Sequence, residues 1–332
     1  MKFDSILRKA SNGGALKREE LILLLSFPAD SREAYLTMAT SRHISTELSG
    51  NQAEIHAQFA LNLGICSGNC AFCSFAAVNS VFDHAAEISV EEAVARAKRF
   101  ELDGANAVFV MSTAEYPFSR FVEYIQEIRR ALEPRTILIG NLGDCTPAEA
   151  RRLKDAGLQG VYHAWRLREG TDTTLKPAER RRSILNFQEA GLLVGTCVEP
   201  VGPEHSDEEL ADMILYTASI RPAYSGAARR IAIPGGLLAE RGMISELRMA
   251  QIVAVTRLGM PRTVLGNCTH EPCTLGALAG ANLFWAEVGA NPRDVRERTE
   301  EGRGNTVADC GKLFEEAGCG ILEGPSIFYR QV

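Results

Sequence analysis

Residues 62–73 read NLGICSGNCAFC and place three cysteines, Cys66, Cys70 and Cys73, at the spacing Cys-x3-Cys-x2-Cys. Thiolates are soft ligands that suit iron–sulfur clusters and zinc. A [4Fe–4S] cluster normally takes four cysteines, so three close together can hold three irons and leave the fourth open to a chelating molecule. The alternatives are a zinc knuckle or buried thiols without metal. Zinc sites favour paired Cys-x2-Cys units with a clear fourth ligand, and the nearest such residue, His84, lies in a polar stretch further on.

The aromatic Phe72 directly precedes the third cysteine, and with it the loop resembles the signature of radical S-adenosylmethionine (SAM) enzymes. The resemblance implies a [4Fe–4S] cluster on Cys66, Cys70 and Cys73, with Phe72 beside the cofactor. In that family the open iron chelates the amino and carboxylate groups of SAM. An electron from the cluster then cleaves SAM to methionine and a 5′-deoxyadenosyl radical, which abstracts hydrogen from the substrate.

The composition excludes several classes of protein. The chain has 332 residues, of which 45% are hydrophobic and 23% charged, so it is long enough to bury a large core. Its net charge of −6 argues against a nucleic-acid partner. The longest apolar run, Leu21 to Leu25, is far too short to cross a membrane, and the N-terminus lacks a secretory pattern. Nine cysteines without a small-scaffold spacing favour a reducing cytoplasm.

A repeating unit from residue 56 onward predicts the fold. A helix ends in a small residue and glycine, as at Ala156-Gly157 and Ala190-Gly191, and a β-rich run follows. Capping boxes such as Thr146-Pro147-Ala148-Glu149 mark where helices begin. The predicted strands cover residues 57–63, 106–111, 136–140, 160–166, 192–198, 229–233, 263–266 and 282–288.

Eight strands that alternate with helices predict an α/β fold of parallel units, a closed (β/α)8 TIM-type barrel, with an open doubly wound sheet as the alternative. We assign residues 1–50 to an N-terminal helical extension with helices over 17–27 and 31–48. Residues 51–325 form the barrel, and residues 288–332 form a lid or C-terminal capping segment. Because chemistry in a barrel lies on the loops after the strands, the three-cysteine loop falls on that face.

Residues after the other predicted strands are expected to bind SAM. Ser112 and Thr113 follow the second strand, where the resemblance implies contacts with the SAM amino group; an ordinary polar loop is the alternative. Arg168 and Glu169 follow the fourth, where the biotin-synthase-like branch contacts SAM. Guanidinium groups suit carboxylates and glutamates suit ribose hydroxyls. An internal Arg–Glu pair is the other interpretation.

The stretch after the fifth strand resembles the family's Gly-x-Ile-x-Gly-x-x-Glu segment near the adenine, with Gly202 and Glu204 at the matching positions. Glu204 could instead belong to a helix cap. Further on, Arg230 could face the pocket or tether a loop. In the polar segment after strand eight, Arg293, Arg298 and Arg303 could bind an acidic substrate or form a solvated charge run.

A second group of cysteines lies near the C-terminus. Cys268-x4-Cys273 follows the seventh strand, and Cys310 and Cys319 could complete a second iron–sulfur site if the C-terminal segment folds over the barrel mouth. Buried cysteines that act as small hydrophobes are the alternative.

The resemblance is closest to the branch that holds biotin synthase, the hydrogenase-cofactor maturases and methylornithine synthase. The positions that would hold the auxiliary [2Fe–2S] cluster of biotin synthase fall near Met111, Ile139 and Thr196, so those ligands are largely missing. We therefore do not expect a standard biotin synthase.

The expected function is a radical SAM enzyme that abstracts hydrogen from a small-molecule substrate, with sulfur insertion of the biotin or lipoyl type if a second cluster donates sulfur. Radical rearrangement or fragmentation, as in methylornithine synthesis or cofactor maturation, is the alternative enzyme reading. An iron–sulfur scaffold is the non-enzyme reading. Flavodoxin or ferredoxin is the expected reducing partner.

Overall fold

The structure, a computed structural model, describes residues 2–330. The α-helices are α1 (Lys2–Ser11), α2 (Arg18–Ser26), α3 (Arg32–Ser49), α4 (Val90–Leu102), α5 (Phe118–Ala131), α6 (Pro147–Asp155), α7 (Pro177–Glu189), α8 (Asp207–Ser219), α9 (Glu246–Gly259), α10 (Thr274–Leu278) and α11 (Val307–Glu316). The strands are β1 (Gln52–Ala60), β2 (Asn62–Leu63), β3 (Ala86–Glu87), β4 (Ala107–Met111), β5 (Ile137–Asn141), β6 (Gly160–Tyr162), β7 (Leu193–Gly195), β8 (Val198–Val201), β9 (Tyr224–Arg229), β10 (Gly266–Cys268), β11 (Leu283–Val288) and β12 (Gly320–Ile321). No helix in this part of the chain is long and apolar enough to span a membrane.

The main sheet is parallel and curls round until it closes. Its order is β7-β6-β5-β4-β1-β11-β10-β9-β8. The two ends of this order, β7 and β8, are successive parts of one segment, residues 193–201. That segment pairs with β6 through β7 and with β9 through β8, and the Thr196 backbone N–H donates to the Tyr224 carbonyl at 3.2 Å. The predicted (β/α)8 barrel is therefore confirmed over the open sheet.

The barrel interior has an aromatic middle and a polar mouth. Side chains alternate along each strand, so every second residue points inward. In the middle, Phe109 packs edge-on against Trp285 at 4.5 Å between ring centroids, and His56 stacks on Phe109 at 5.3 Å. Two residues further along the strands, the inward side chains become polar and line a cavity; they are Gln58, Asn141, Arg166, Glu199, Arg230 and His270.

The C-terminal segment contributes to both ends of the barrel. Residues 288–305 follow β11 at the mouth, where the Pro292 carbonyl accepts from the Ser74 backbone N–H at 2.8 Å. Residues 320–329 lie at the opposite end, because β12 pairs with the start of β1 and the Ile327 N–H donates to the Glu54 carboxylate at 2.7 Å. Phe328 and Tyr329 are buried there within the interior aromatic cluster.

The N-terminal helices flank the barrel on its outside. Ser41 and Ser45 of α3 donate to the carbonyls of Ala279 and Gly280 at 2.7 and 2.6 Å. Gly280 has a φ of +98°, and a Cβ there would lie 2.3 Å from the Ser41 hydroxyl, so this turn requires glycine. The helices predicted over 17–27 and 31–48 are present as α2 and α3, and α1 precedes them.

The sixth barrel strand differs from its prediction. It covers Tyr224–Arg229, whereas the sequence favoured residues 229–233. The true strand reads YSGAAR and lacks the β-branched residues that usually identify strands, because small residues pack in the closed barrel. The Ile231–Ile233 stretch attracted the prediction but follows the strand as a loop.

Candidate active site

The three-cysteine loop lies at the mouth of the barrel. Cys66, Cys70 and Cys73 are free thiols and line one cavity. Backbone N–H groups point at two of the sulfurs: Ala114 donates to Cys66 Sγ at 3.5 Å and Phe75 donates to Cys73 Sγ at 3.4 Å. Such bonds stabilise a thiolate.

Burial acts in the opposite direction on the same three thiols. It raises the pKa of Cys70 to about 11, and it raises the pKa of Cys66 and Cys73 as well. Without a metal, these thiols would therefore keep their protons at neutral pH. Metal binding replaces such protons, so the donor set fits a bound iron–sulfur cluster.

Loops from several strands hold the cysteine loop in place. The Ser67 backbone N–H and hydroxyl both donate to the Glu115 carboxylate at 3.0 Å. The Thr174 hydroxyl donates to the Ser67 carbonyl at 2.6 Å. The buried Asn79 side chain donates to the Cys73 carbonyl at 2.8 Å. The position of the three sulfurs is thus fixed by the barrel rather than by the loop alone.

The cavity between the cysteine loop and the barrel interior has a volume of about 1140 Å³, part of it open to solvent. Phe72, Ser112 and Thr113, which the sequence predicts to bind SAM, line it. The Thr113 N–H and hydroxyl are already bonded to the Asn62 side chain, at 3.0 and 2.9 Å. Ser112 has only a 3.3 Å contact to a carbonyl, so its hydroxyl is the freer of the two to meet a ligand.

Arg166 and Glu199 are the charged pair on the cavity wall. The Arg166 Nε atom lies 3.3 Å from a Glu199 carboxylate oxygen, and both residues line the cavity. The predicted residues Arg168 and Glu169 do not line it. Arg168 has a φ of +57° and pairs with Glu209 at 3.0 Å, away from the cavity.

Glu169 is likewise used internally. Its carboxylate accepts from the Arg166 backbone N–H at 3.0 Å and from the Thr173 hydroxyl at 2.9 Å. The structure thus favours Arg166 over Arg168 as the arginine that reaches a ligand. Strand alternation was the available clue, because Tyr162, Ala164 and Arg166 share the inward face.

Gly202 and Glu204 lie behind the cavity wall, in contact with Arg230. Glu204 pairs with Arg230 at 2.9 Å, and neither Gly202 nor Glu204 lines the cavity. A Cβ on Gly202 would lie 2.7 Å from the Arg230 guanidinium, so the close packing of Arg230 against this backbone requires glycine. Burial raises the pKa of Glu204, but backbone donors and Arg230 outweigh it and hold that pKa below its usual value. Arg230 itself lines the cavity and also donates to the Leu238 carbonyl of the following loop at 2.8 Å, so both interpretations from the sequence agree with the structure.

Asp144, His163 and Arg180 form a polar group that the sequence does not predict, and within it His163 and Arg180 are buried. His163 Nε2 lies 2.9 Å from Asp144, and Arg180 Nε lies 3.3 Å from the same oxygen. Both His163 and Arg180 line the cavity. Burial, reinforced by Arg180, lowers the pKa of His163 to about 3, so the imidazole is neutral at physiological pH. Arg180 is the first of three successive arginines, yet it is only 4% exposed.

The arginines after β11 have three different environments. Arg293 lines the cavity and pairs with Glu287 at 2.5 Å. Arg303 borders a neighbouring cavity and pairs with Glu271. Arg298 is exposed and pairs with Glu300 at 3.0 Å. Of the three, only Arg293 is placed to reach a ligand beside the three-cysteine loop.

The structure does not bring the four C-terminal cysteines together. Cys268 is buried inside the barrel, whereas Cys273 begins α10 and its sulfur accepts from Gly276 at 3.3 Å. Cys310 lies between α11 and the sheet, and its thiol donates to the Trp285 carbonyl at 3.3 Å. Cys319 lies beside β12 at the closed end, 2.8 Å from Arg42. The expectation that the C-terminal segment folds over the mouth is corrected: its last part closes the other end.

Comparison with known proteins agrees with this geometry. Residues 63–216 match the sequence model of the Radical SAM superfamily. Biotin synthase of Leptothrix cholodnii is 27% identical over 275 residues, covering 75% of this chain and 77% of the relative. Biotin synthase of Agrobacterium fabrum is 26% identical over 252 residues, covering 71% and 73%.

Two solved structures share the fold. Methylornithine synthase (PylB) superposes with a TM-score of 0.81 at 17% identity, covering 96% of this chain and 97% of that one. The FeFe-hydrogenase maturase HydG from Carboxydothermus hydrogenoformans has a TM-score of 0.79 at 19% identity, covering 99% and 81%.

Proposed function

We infer that this chain, a radical SAM enzyme related to biotin synthase, binds a [4Fe–4S] cluster on Cys66, Cys70 and Cys73 and cleaves SAM in the cavity beside it. The observation that carries the proposal is that the three free thiols share one cavity with the Arg166–Glu199 pair. When bound, the cluster and SAM would supply a 5′-deoxyadenosyl radical that abstracts hydrogen from a substrate. Flavodoxin or ferredoxin in a reducing cytoplasm would supply the electron.

The cavity wall supplies groups for both halves of SAM. Ser112 offers a hydroxyl, and Arg166 offers a guanidinium that suits a carboxylate. Glu199, adjacent to Arg166, suits a ribose hydroxyl. Phe72 provides an apolar surface next to the cysteines. The rigid attachment of the loop limits the reorganisation that cofactor binding requires.

The substrate is a small anion in this proposal. Among residues 2–330, five arginines line the cavity but only one acidic residue, Glu199, does; the arginines are Arg166, Arg180, Arg229, Arg230 and Arg293. The acidic partners of the other four arginines do not line the cavity. One atom in particular, Arg293 Nη1, is buried and has no hydrogen-bond partner among residues 2–330. A carboxylate of the substrate would satisfy it.

Radical rearrangement or fragmentation is the reaction type that fits this geometry best. Sulfur insertion needs a sulfur source, and the cysteines first expected to hold a second cluster are dispersed between both faces of the sheet. The test of the main proposal is anaerobic incubation of the reconstituted, reduced protein with SAM. We expect equal amounts of 5′-deoxyadenosine and methionine, and none from Cys70→Ala. SAM cleavage that persists in Cys70→Ala would contradict the assignment of this loop as the cluster site.

Sulfur insertion is the second candidate, because Cys268 still lies inside the barrel beneath the cavity. Iron and sulfide analysis of reconstituted protein separates the two reaction types. A [4Fe–4S] cluster alone accounts for about four irons per chain, whereas a second cluster would bring the content nearer to eight. The lower count favours rearrangement or fragmentation.

A further inference from the structure

Below the cavity, two cysteines and a histidine meet inside the barrel. A ring nitrogen of His270 and the sulfurs of Cys197 and Cys268 all lie within 4.8 Å of one another. Cys197 and Cys268 are each 0% exposed and His270 is 7% exposed. Gly226 of β9 pairs in register with Cys268, and its lack of a side chain lets the residues of the flanking strands approach.

One nitrogen of the His270 imidazole lacks a hydrogen-bond partner among residues 2–330. The Nε2 atom of His270 is buried and makes no hydrogen bond within the described part of the chain. Its ring is held from two sides, stacked on Trp285 at 4.9 Å and tilted against Tyr162 at 5.5 Å. A buried polar atom without a partner is unfavourable, so a ligand on this nitrogen would stabilise the site.

We propose that Cys197, Cys268 and His270 bind a single thiophilic metal ion of the Zn²⁺ or Fe²⁺ class. Two thiolates and a neutral imidazole are the donors that such ions prefer. In a tetrahedral site with bonds of about 2.0–2.3 Å, the ligand atoms lie about 3.3–3.8 Å apart, which small side-chain movements reach from the present spacing. Cysteines that ligate different irons of a cluster stand farther apart, so the close spacing favours one ion.

The ion would have a function in substrate binding. Three protein ligands leave a tetrahedral ion one open position, as in catalytic zinc sites. His270 also lines the main cavity, so the ion would border its floor. There it would bind an anionic oxygen or sulfur of the substrate and act as a Lewis acid. The site does not depend on the SAM assignment, because none of its three ligands belongs to the three-cysteine loop.

The test is metal and sulfide analysis of the full-length chain after anaerobic reconstitution with iron and sulfide, addition of ZnCl₂ and gel filtration. For the wild type we expect about one metal equivalent in excess of the sulfide content. Cys197→Ser, Cys268→Ser and His270→Gln should each lose that equivalent while retaining the iron and sulfide of the loop cluster, which shows that they fold. Cys310→Ser, a buried cysteine on the other face of the sheet, is the matched control and should retain both.

Four results would overturn the proposal. The first is no excess metal in the wild type, and the second is an excess that persists in Cys268→Ser. The third is extra metal accompanied by an equal amount of sulfide, which would indicate a cluster. Alkylation under non-reducing conditions that finds a Cys197–Cys268 disulfide also overturns it. Measuring 5′-deoxyadenosine on the same samples keeps the outcome separate from that of SAM cleavage.

Discussion

Individual side chains decide what the cavity can bind. Arg166 and Glu199 lie side by side on the wall, and the neighbouring carboxylates outweigh burial to raise the pKa of the Arg166 guanidinium. The sequence could identify that charged residues follow the fourth strand, and alternation counted from Tyr162 points to Arg166. It does not reveal that a tight turn with positive φ at Arg168 ends this alternation. The cysteine positions needed no such information, because their spacing alone defines the loop.

Replacing Arg166 should weaken cofactor binding and cleavage. We expect Arg166→Gln to lower the rate of 5′-deoxyadenosine formation at subsaturating SAM by about 10- to 100-fold, since a hydrogen bond to a charged group contributes about 1.5–3 kcal/mol. Arg168→Gln is the control, because it removes a partly exposed ion pair with Glu209 worth about 0–1 kcal/mol. Equal losses in the two variants would contradict the assignment of Arg166.

The cysteines also differ in their expected roles. Cys70→Ala should lose the loop cluster and its iron, because two loop thiols cannot hold it. Cys273→Ser should retain the full iron content, since serine preserves the helix cap that the Cys273 sulfur provides for α10. Iron analysis and the visible absorption of both reconstituted variants test this. Loss of iron from Cys273→Ser would indicate that Cys273 is a cluster ligand.

At the scale of elements, helix α7 and the ends of β5 and β6 build the wall together. Arg180 of α7 is directed at His163 and Asp144, which follow β6 and β5. The alternation of helices and strands was predictable from glycine stops and capping boxes. The location of β9 was not, because its small residues suit packing inside a closed barrel and not the intrinsic preferences of strands. The buried face of α7 was not predictable either, because three successive arginines in that helix are typical of an exposed surface.

The neutral state of His163 makes stability depend on pH. As the pH falls below about 6.5, the unfolded chain binds a proton at this residue, whereas the folded chain does so only near its pKa of about 3. Stability is therefore present above that window and lost as the pH falls through it, by up to about 1.4 kcal/mol per pH unit. Denaturant unfolding of the metal-free protein between these pH values should show a smaller slope in His163→Gln. An unchanged slope would contradict the neutral assignment.

The whole molecule is a barrel with one open and one closed end. The cysteine loop and cavity occupy the open end, while the C-terminal Phe328 and Tyr329 fill the other. The sequence predicted the barrel and its active face. It did not predict that the chain returns to close the opposite end, because a short apolar pair at a terminus has no periodicity.

This closure should contribute to stability but not to the site. Phe328 is 5% exposed, so Phe328→Ala should lower the free energy of unfolding by about 3–5 kcal/mol. SAM affinity of the folded variant should stay within twofold, roughly the error of additivity for distant sites. Leu102→Ala, at a residue that is 80% exposed, is the control and should change stability by less than about 0.5 kcal/mol. A fall in SAM affinity with unchanged stability would show that the C-terminal segment acts at the mouth after all.

In the proposed function, Cys66, Cys70 and Cys73 leave one iron of the cluster free for SAM. Electron–nuclear double resonance on the reduced, reconstituted protein measures this directly when SAM carries ¹⁵N at its amino group. We expect a hyperfine coupling between the cluster and that nitrogen, which Cys70→Ala abolishes. A fully formed reduced cluster with SAM bound but no ¹⁵N coupling would contradict it.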